Sequence, residues 1–240
     1  MRIFSKSTLS VFALLCLSML LTACGGLSAE SAKERLLTAE DFDFEVQVLP
    51  TTYSKISDVF QPGIFTTQCP EITAFYEDYS RSKIVAESEY QDVSETQFGF
   101  TISQYVIQFP NKEDAKRFVE NAEKVANTSD CEQTKIYTPN DGPGSEPVFF
   151  VQDFGNVRDL KSAFNVNVKN SVVFDIDFRA NRSESIDPNP EESGLALAAS
   201  GDLVVVLHYV VVDEISTPSG PVTRKYLENV IGIAFKKMFG

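Results

Sequence analysis

Two aspartates on a predicted strand have a spacing that suits acid–base chemistry or metal binding. Asp175 and Asp177 are separated by one apolar residue, so their carboxylates lie on the same face of an extended strand. A carboxylate pair of this kind can bind Ca²⁺ or act as a general acid and base. A solvated polar face is the alternative interpretation, and the sequence alone favours it.

The chain contains one histidine, His208, which interrupts an otherwise apolar segment, Leu203–Val212. A catalytic histidine requires a nucleophile beside it, and the sequence contains no Gly-x-Ser-x-Gly elbow. The alternative is a hydrogen-bonded residue of the core or of a sheet edge. Since a second histidine and a Cys-x-x-Cys pair are also missing from the sequence, we predict no catalytic residue, no metal site and no cofactor.

The N-terminal residues have the pattern of an export signal. Two cations precede an apolar stretch at residues 11–21, which is about half the roughly 20 apolar residues that span a bilayer. The stretch ends in Leu-Thr-Ala-Cys, with Cys24 as the last residue, and this tetrapeptide resembles the bacterial lipobox. The resemblance implies cleavage of a signal peptide, residues 1–23, and lipidation of the Cys24 thiol. The protein is then anchored to the cell membrane on its extracytoplasmic face.

Two cysteines remain in the predicted exported body, Cys69 and Cys131. Export places them in an oxidising compartment, where such a pair is expected to form a disulfide. Because the closed loop is long, the chain-entropy model gives a stabilisation of roughly 4 kcal/mol. A reactive thiol pair is the alternative, although that function usually has a Cys-x-x-Cys spacing.

The negative net charge of the chain argues against a nucleic-acid partner. The chain has 21 Lys and Arg against 34 Asp and Glu, and its formal net charge is −13. Nucleic-acid binding requires clustered cations to contact phosphates, so we predict no nucleic-acid partner. The hydrophobic fraction of 43% is that of an ordinary globular domain, which excludes a fully disordered chain.

Apolar periodicity predicts the elements that position these residues. Helices are expected at 33–42, 70–79, 111–126 and 221–238, and strands at 83–92, 96–109, 147–152, 164–168, 172–178 and 203–212. Within 96–109 the apolar phase shifts, which predicts a β-bulge near Ser103 and Gln104. The residues at 169–171 are expected to form a hairpin turn, and 182–201 a flexible loop.

This order of elements predicts the fold class. Helices and strands do not alternate regularly, so we expect an α+β fold in which helices pack on one face of an antiparallel sheet. Residues 24–32 are expected to be a tether and residues 33–240 a single domain. Tyr53, Phe60, Tyr79 and Tyr90 flank irregular segments; they either line a cleft for a lipid or glycan, or fill the core.

Residues 31–240 resemble a known family, the extracellular sensor domain of PknH-type mycobacterial Ser/Thr kinases, which also recurs in stand-alone actinobacterial lipoproteins. The resemblance lies in the order of short segments: Leu-Leu-Thr-Ala-Glu at 36–40, Cys-Pro at 69–70, Gln-Tyr-Val-Ile-Gln-Phe-Pro at 104–110, the pattern around 166–176, and Ile-Gly-Ile-Ala at 231–234. It implies a secreted domain with an open cleft and a ligand-sensing role. It supplies no ligand-binding residues.

These observations lead to one expected function and two alternatives. We expect a non-enzymatic lipoprotein whose sensor-like domain binds a small ligand or an envelope component. The first alternative is an interaction module that binds an envelope protein through a sheet edge or the 182–201 segment. The second is an envelope hydrolase that uses Asp175 and Asp177.

Overall fold

The computed structural model describes residues 27–43, 45–50, 78, 80–92, 99–127, 133–136, 148–182, 185–186, 191–212 and 220–240. The described helices are α1 (Ala29–Glu34), α2 (Lys112–Ala126), α3 (Leu160–Phe164) and α4 (Gly220–Phe239), with a 3-10 turn at Ala39–Asp41. The described strands are β1 (Val46–Leu49), β2 (Lys83–Asp92), β3 (Gly99–Gln108), β4 (Gln133–Ile136), β5 (Val148–Arg158), β6 (Ser171–Arg182), β7 (Ser185–Ile186), β8 (Glu191–Ser200) and β9 (Leu203–Val212).

The described strands form one antiparallel sheet, which confirms the predicted α+β class. Their order is β1-β2-β3-β9-β8-β6-β5-β4, and the short β7 also pairs with β6. The apolar β9 lies between β3 and β8, as its continuous Val and Leu content predicts. Helix α2 begins where the sequence predicts, because the Asn111 side chain accepts a hydrogen bond from the Asp114 N–H.

Helices cover both faces of this sheet, so the expectation of helices on one face is wrong. The first core lies between the sheet and helices α1, α3 and α4, and it includes Val205 and Phe235. The second core lies on the opposite face under α2, and it includes Val206 and Phe118. Because the central strands carry apolar residues on both faces, each face needs a helical layer to exclude water.

This arrangement also explains the phase shift in β3. Phe100 and Ile102 point into the first core, whereas Tyr105 and Ile107 point into the second. The register between β3 and β9 is continuous from Gly99 to Gln108, so the β-bulge predicted near Ser103 and Gln104 is wrong. The shift arises because both faces are covered at this end of the strand, where Val106 points into the first core between Tyr105 and Ile107. The register irregularity lies instead in β2, between Ile84 and Ala86.

The segment predicted as a flexible loop contains a strand inside the sheet. Strand β8 lies between β6 and β9, and Ala196, Leu197 and Ala198 are fully buried. Its Gly and Ala residues favour a loop when read locally. In the fold they allow close packing on both faces, so the loop prediction for 182–201 is wrong over Glu191–Ser200.

Two shorter predictions are also corrected. Residues 164–168 are not a strand: α3 begins after Asp159, whose side chain accepts from the Ser162 N–H, and ends at Asn165 in the left-handed conformation. The hairpin turn at 169–171 is therefore absent. The first helix begins at Ala29, inside the predicted tether, and Ala32 is fully buried.

Candidate functional site

Several sequence-predicted site residues lie outside the described residues. These are Cys24, Cys69 and Cys131, together with Tyr53, Phe60 and Tyr79. Lipidation and the disulfide therefore stay predictions. Tyr90 is described, and it is a buried core residue whose hydroxyl donates to the Leu37 carbonyl oxygen.

Asp175 is buried in the first face of the sheet, not solvated as the sequence favours. Only 5% of the residue is exposed. Its carboxylate accepts a hydrogen bond from the Asn156 amide and one from the Tyr209 hydroxyl, at 3.3 Å. We call Asp175, Asn156 and Tyr209 the Asp175 network.

A glycine makes this network possible. Asp175, Gly194 and Tyr209 lie opposite one another on β6, β8 and β9. The Tyr209 ring crosses over Gly194 to reach Asp175, and a Cβ at Gly194 would lie only 2.2 Å from a ring carbon. Protein groups therefore bind the Asp175 carboxylate, as expected for a structural buried charge.

The strand pairing gives the position of Asp177, the second aspartate of the predicted pair. Asp177 lies opposite Asp153 on β5 and Glu192 on β8. Within the described part of the chain, no group of three His, Cys, Asp or Glu residues is placed to hold a metal ion.

His208 belongs to a polar row on the second face of the sheet. Glu89, Ser103 and His208 lie opposite one another on β2, β3 and β9. Burial lowers the pKa of His208 to about 4, so the imidazole is neutral at pH 7. Burial, and secondarily the charge of Glu87, raise the pKa of Glu89 above its ordinary value.

The order of this row does not match a hydrolase triad. In a triad the imidazole lies between the hydroxyl and the carboxylate, so that it can accept the hydroxyl proton while the carboxylate orients it. Here Ser103 occupies the central strand, and it is 7% exposed. Sequence reasoning missed this row because β2, β3 and β9 become neighbours only in the folded sheet.

A cavity of about 400 Å³ lies between α3 and α4. Lys161 lines it from α3, and Lys225 and Lys236 line it from α4. All three lysines are exposed, and none forms an ion pair with another described residue. The other lining residues are Ser162, Ala163, Phe164, Asn165, Glu228, Asn229 and Gly232.

Helix α4 carries a glycine where it contacts α3. A Cβ at Gly232 would lie 3.4 Å from the Phe164 ring, so the ring packs against the helix backbone. Lys225 and Lys236 are 11 residues apart, about three helical turns, and therefore lie on one face of α4. In the sequence, the cavity is indicated by the spacing of these two lysines on one helix face.

The acids near the cavity have other partners. Glu228 forms an ion pair with Arg158 at 3.1 Å. Asp159 accepts hydrogen bonds from the Ser162 side chain and N–H, which lower its pKa, and the charge of Lys161 contributes less. The cavity therefore carries a net positive charge on a protein whose overall charge is negative.

A second cavity, of about 660 Å³, lies beside α1 at one end of the sheet. Glu30 and Asp202 line it together with Lys33 and Lys83. Because both signs of charge are present, its lining favours no class of charged ligand.

Comparison with solved structures shows a distant likeness. The extracellular domain of PknH from Mycobacterium tuberculosis matches with a TM-score of 0.44 and 14% sequence identity, over 86% of this chain and 98% of that chain. No protein-family model matches the chain, and no curated protein matches it in sequence. Among the described residues, no helix is long and apolar enough to cross a bilayer.

Proposed function

We infer that this protein is a lipid-anchored, extracytoplasmic lipoprotein whose domain binds a small anionic ligand between α3 and α4. The observation that carries the binding function is the α3–α4 cavity, which is lined by Lys161, Lys225 and Lys236. None of the three forms an ion pair with another described residue. Its volume of about 400 Å³ lies within the range of small-molecule sites. The anchor rests on the tetrapeptide that ends at Cys24.

The function we infer is binding rather than catalysis. The polar row at Ser103 and His208 has the wrong order for a nucleophilic triad. Asp175 is occupied by Asn156 and Tyr209, which leaves it poorly placed to act on a substrate. The hydrolase alternative has no further support from the described residues.

Native mass spectrometry tests the binding function. The full-length lipoprotein is purified gently in a neutral detergent from its own envelope, together with the Lys161→Gln, Lys225→Gln, Lys236→Gln triple variant. A matched control removes three lysines from α2, at positions 112, 116 and 124. We expect a reproducible anionic adduct on the wild type and the control but not on the cavity variant. A bare mass for all three proteins contradicts the inferred function.

The anchor is tested separately. The Cys24→Ser variant lacks the thiol that receives the lipid, so we expect it to leave the membrane fraction while the wild type stays there. Equal membrane retention of both proteins contradicts the lipid anchor without bearing on the cavity.

A second candidate function is protein binding through strand β1. This strand lies at one edge of the sheet, and its Val48 is 55% exposed, the one large hydrophobic residue this exposed among those described. An exposed edge strand can pair with a strand of another protein. The other surface considered from the sequence, 182–201, is not available along β8, because β8 is paired on both sides.

Site-specific photo-crosslinking tests this second candidate. A photoreactive residue at position 48 should capture one reproducible envelope protein in cells, whereas one on the exposed face of α2, at position 116, should not. The same products from both positions, or none from position 48, would exclude binding through this edge.

A further inference from the structure

The segment that follows the inferred lipidation site is built into the domain. Helix α1 begins at Ala29, and its Ala32 is fully buried in the first core. Further along the segment, Leu37 and Phe42 lie in the same core and are 2% and 7% exposed. The folded domain therefore begins only a few residues after Cys24.

Hydrogen bonds join this segment to the sheet and to α4. The Gln104 side chain on β3, which is fully buried, accepts a hydrogen bond from the Leu37 N–H at 2.8 Å. The Tyr90 hydroxyl on β2 donates to the Leu37 carbonyl oxygen. The Arg35 guanidinium donates to the Met238 carbonyl oxygen in the last turn of α4, at 2.9 Å. Because these contacts join it to two other elements, we expect the segment to move with the domain as one body.

The start of α1 lies at one end of the sheet. Leu27 and Ser28 line the cavity of about 660 Å³ together with Lys83 at the start of β2 and Leu203 at the start of β9. Lys83 lies opposite Gln108, and Gln108 lies opposite Leu203, so these residues form one row across the sheet. We call this row and the start of α1 the α1 end.

The length of chain between the lipid and the domain limits the distance of the α1 end from the membrane. Acyl chains in the bilayer hold a lipidated Cys24 at the membrane surface. Leu27 is three residues further along, so its Cα lies at most about 11 Å from that of Cys24. On β3, Thr101 near the opposite end of the sheet is seven residues from Gln108, or about 23 Å along the strand. The connection is therefore shorter than the sheet.

The charge of the protein favours an orientation in which the sheet stands on its α1 end rather than lying flat. The formal net charge of the chain is −13, so anionic lipid headgroups repel the domain as a whole. Both signs of charge are present at the α1 end, where the exposed Lys33 and Lys83 line the cavity with Glu30 and Asp202. Contact through this end brings two cations to the headgroups and keeps the rest of the acidic domain away from them.

We propose that the α1 end is a membrane-facing surface, which lies against the lipid headgroups while the opposite end of the sheet projects away from them. The proposal rests on the inferred lipid anchor at Cys24 and goes beyond it, because it assigns the part of the domain that meets the membrane. The cavity beside α1 consequently lies at the membrane surface.

Fluorescence quenching in lipid vesicles tests this orientation. The full-length lipoprotein is reconstituted into vesicles of phosphatidylcholine and phosphatidylglycerol that carry a nitroxide on a fraction of the headgroups. A fluorescent noncanonical amino acid replaces either Lys83, at the α1 end, or Gln91, which is near the other end of the same strand and is also exposed. We expect quenching at position 83 to be at least threefold stronger than at position 91. Equal quenching, or stronger quenching at position 91, overturns the proposal.

An insertion variant tests whether the short connection sets the orientation. About ten Gly and Ser residues are inserted between Gly26 and Leu27, which lengthens the connection by up to about 35 Å and replaces no residue of the domain. We expect quenching at position 83 to fall toward the value at position 91, because the domain can then rotate and move away from the bilayer. A difference as large as that of the wild type overturns the short connection as the cause of the orientation.

Vesicle flotation separates failure of the anchor from failure of the orientation. It is measured for every reconstituted protein before the quenching experiment. If the wild type does not float with the vesicles, the inferred anchor is wrong, and the orientation fails with it. If the wild type floats and the two positions are quenched equally, the anchor is retained and only the orientation is wrong.

Discussion

The Asp175 network and the α3–α4 cavity lie on the same face of the sheet, but their charged groups obtain partners in different ways. The Asp175 carboxylate is 5% exposed and is held by Asn156 and Tyr209. The cavity lysines are exposed and form no ion pair with another described residue.

The difference separates a structural polar site from the proposed binding site. Burying a charge is unfavourable unless protein groups satisfy it, so the Asp175 network contributes to the stability of the fold. Gathering like charges around a cavity gives the fold no stability. Such an arrangement is typical of sites where a ligand provides the missing charge. The two regions should therefore respond oppositely to mutation: the first in stability, the second in binding.

The largest stability effect is expected at Gly194. In Gly194→Ala the new Cβ would overlap the Tyr209 ring at 2.2 Å, and the displaced ring would lose its hydrogen bond to Asp175. We expect the free energy of unfolding to fall by about 3 kcal/mol, measured by urea denaturation. Gly155→Ala is the matched control, because nothing lies within 4 Å of its Cβ position; its change should stay within about 1 kcal/mol. An equal fall in the free energy of unfolding for Gly194→Ala and Gly155→Ala would show that overlap with the Tyr209 ring is not the cause of the destabilisation.

The next effect is a pH dependence from His208. Its folded-state pKa of about 4 lies below the usual 6.5, so the unfolded chain binds the proton first as the pH falls. The stability contribution of neutral His208 is therefore present above pH 6.5 and is lost between pH 6.5 and 4. Because the side chain is partly exposed, we expect a loss of about 1–3 kcal/mol.

Comparison with a non-titrating variant isolates this contribution. Glu89 has a raised pKa, so its protonation favours the folded state as the pH falls and partly offsets the loss at His208. Urea denaturation of wild type and His208→Gln at several pH values should give a steeper decline for the wild type between pH 6.5 and 4. Parallel pH profiles would contradict the low pKa of His208.

A smaller effect is expected at Tyr209. Tyr209→Phe keeps the ring over Gly194 but removes the hydroxyl that donates to Asp175 at 3.3 Å. We expect a loss of about 1 kcal/mol with unchanged anion binding. Tyr226→Phe, which removes a hydroxyl that accepts from the exposed Asp43 N–H, should cost less. A change in anion binding by Tyr209→Phe would show that the two regions are not independent.

The smallest stability effect is expected in the lysine cavity itself. The triple variant at Lys161, Lys225 and Lys236 removes exposed like charges, so its free energy of unfolding should stay within about 0.5 kcal/mol of the wild type. Urea denaturation measures this change beside the binding assay. A loss above about 1 kcal/mol would assign the lysines a structural role.

Sequence patterns predicted correctly those helices and strands whose apolar pattern lies within the element itself. The apolar stripe after Asn111 predicts α2, and the continuous apolar residues of Leu203–Val212 predict a central strand; both are confirmed. The prediction failed where long-range packing decides the structure. Gly194 and the alanines that follow it favour a loop by themselves, but they form β8 because this segment pairs with both β6 and β9, and Gly194 leaves room for the Tyr209 ring.

The candidate site was beyond sequence reasoning for the same reason. Lys161 is separated by more than 60 residues from Lys225 and Lys236 along the chain, and the three line one cavity because α3 packs against α4, where Phe164 lies beside Gly232. The Glu89–Ser103–His208 row likewise depends on the pairing of β3 with β9. Asp175, which the sequence did identify, has a structural role because its partners Asn156 and Tyr209 are supplied by the fold.

Anion binding between α3 and α4 is tested most directly by NMR of ¹³C-dimethylated lysines in the full-length protein, titrated with glycerol 3-phosphate. The paired lysines of α2 serve as controls within the same molecule. We predict saturable shifts at Lys161, Lys225 and Lys236, with little change at Lys112 and Lys116. Uniform small shifts at all lysines, or no shift at the three cavity lysines, would contradict the binding site.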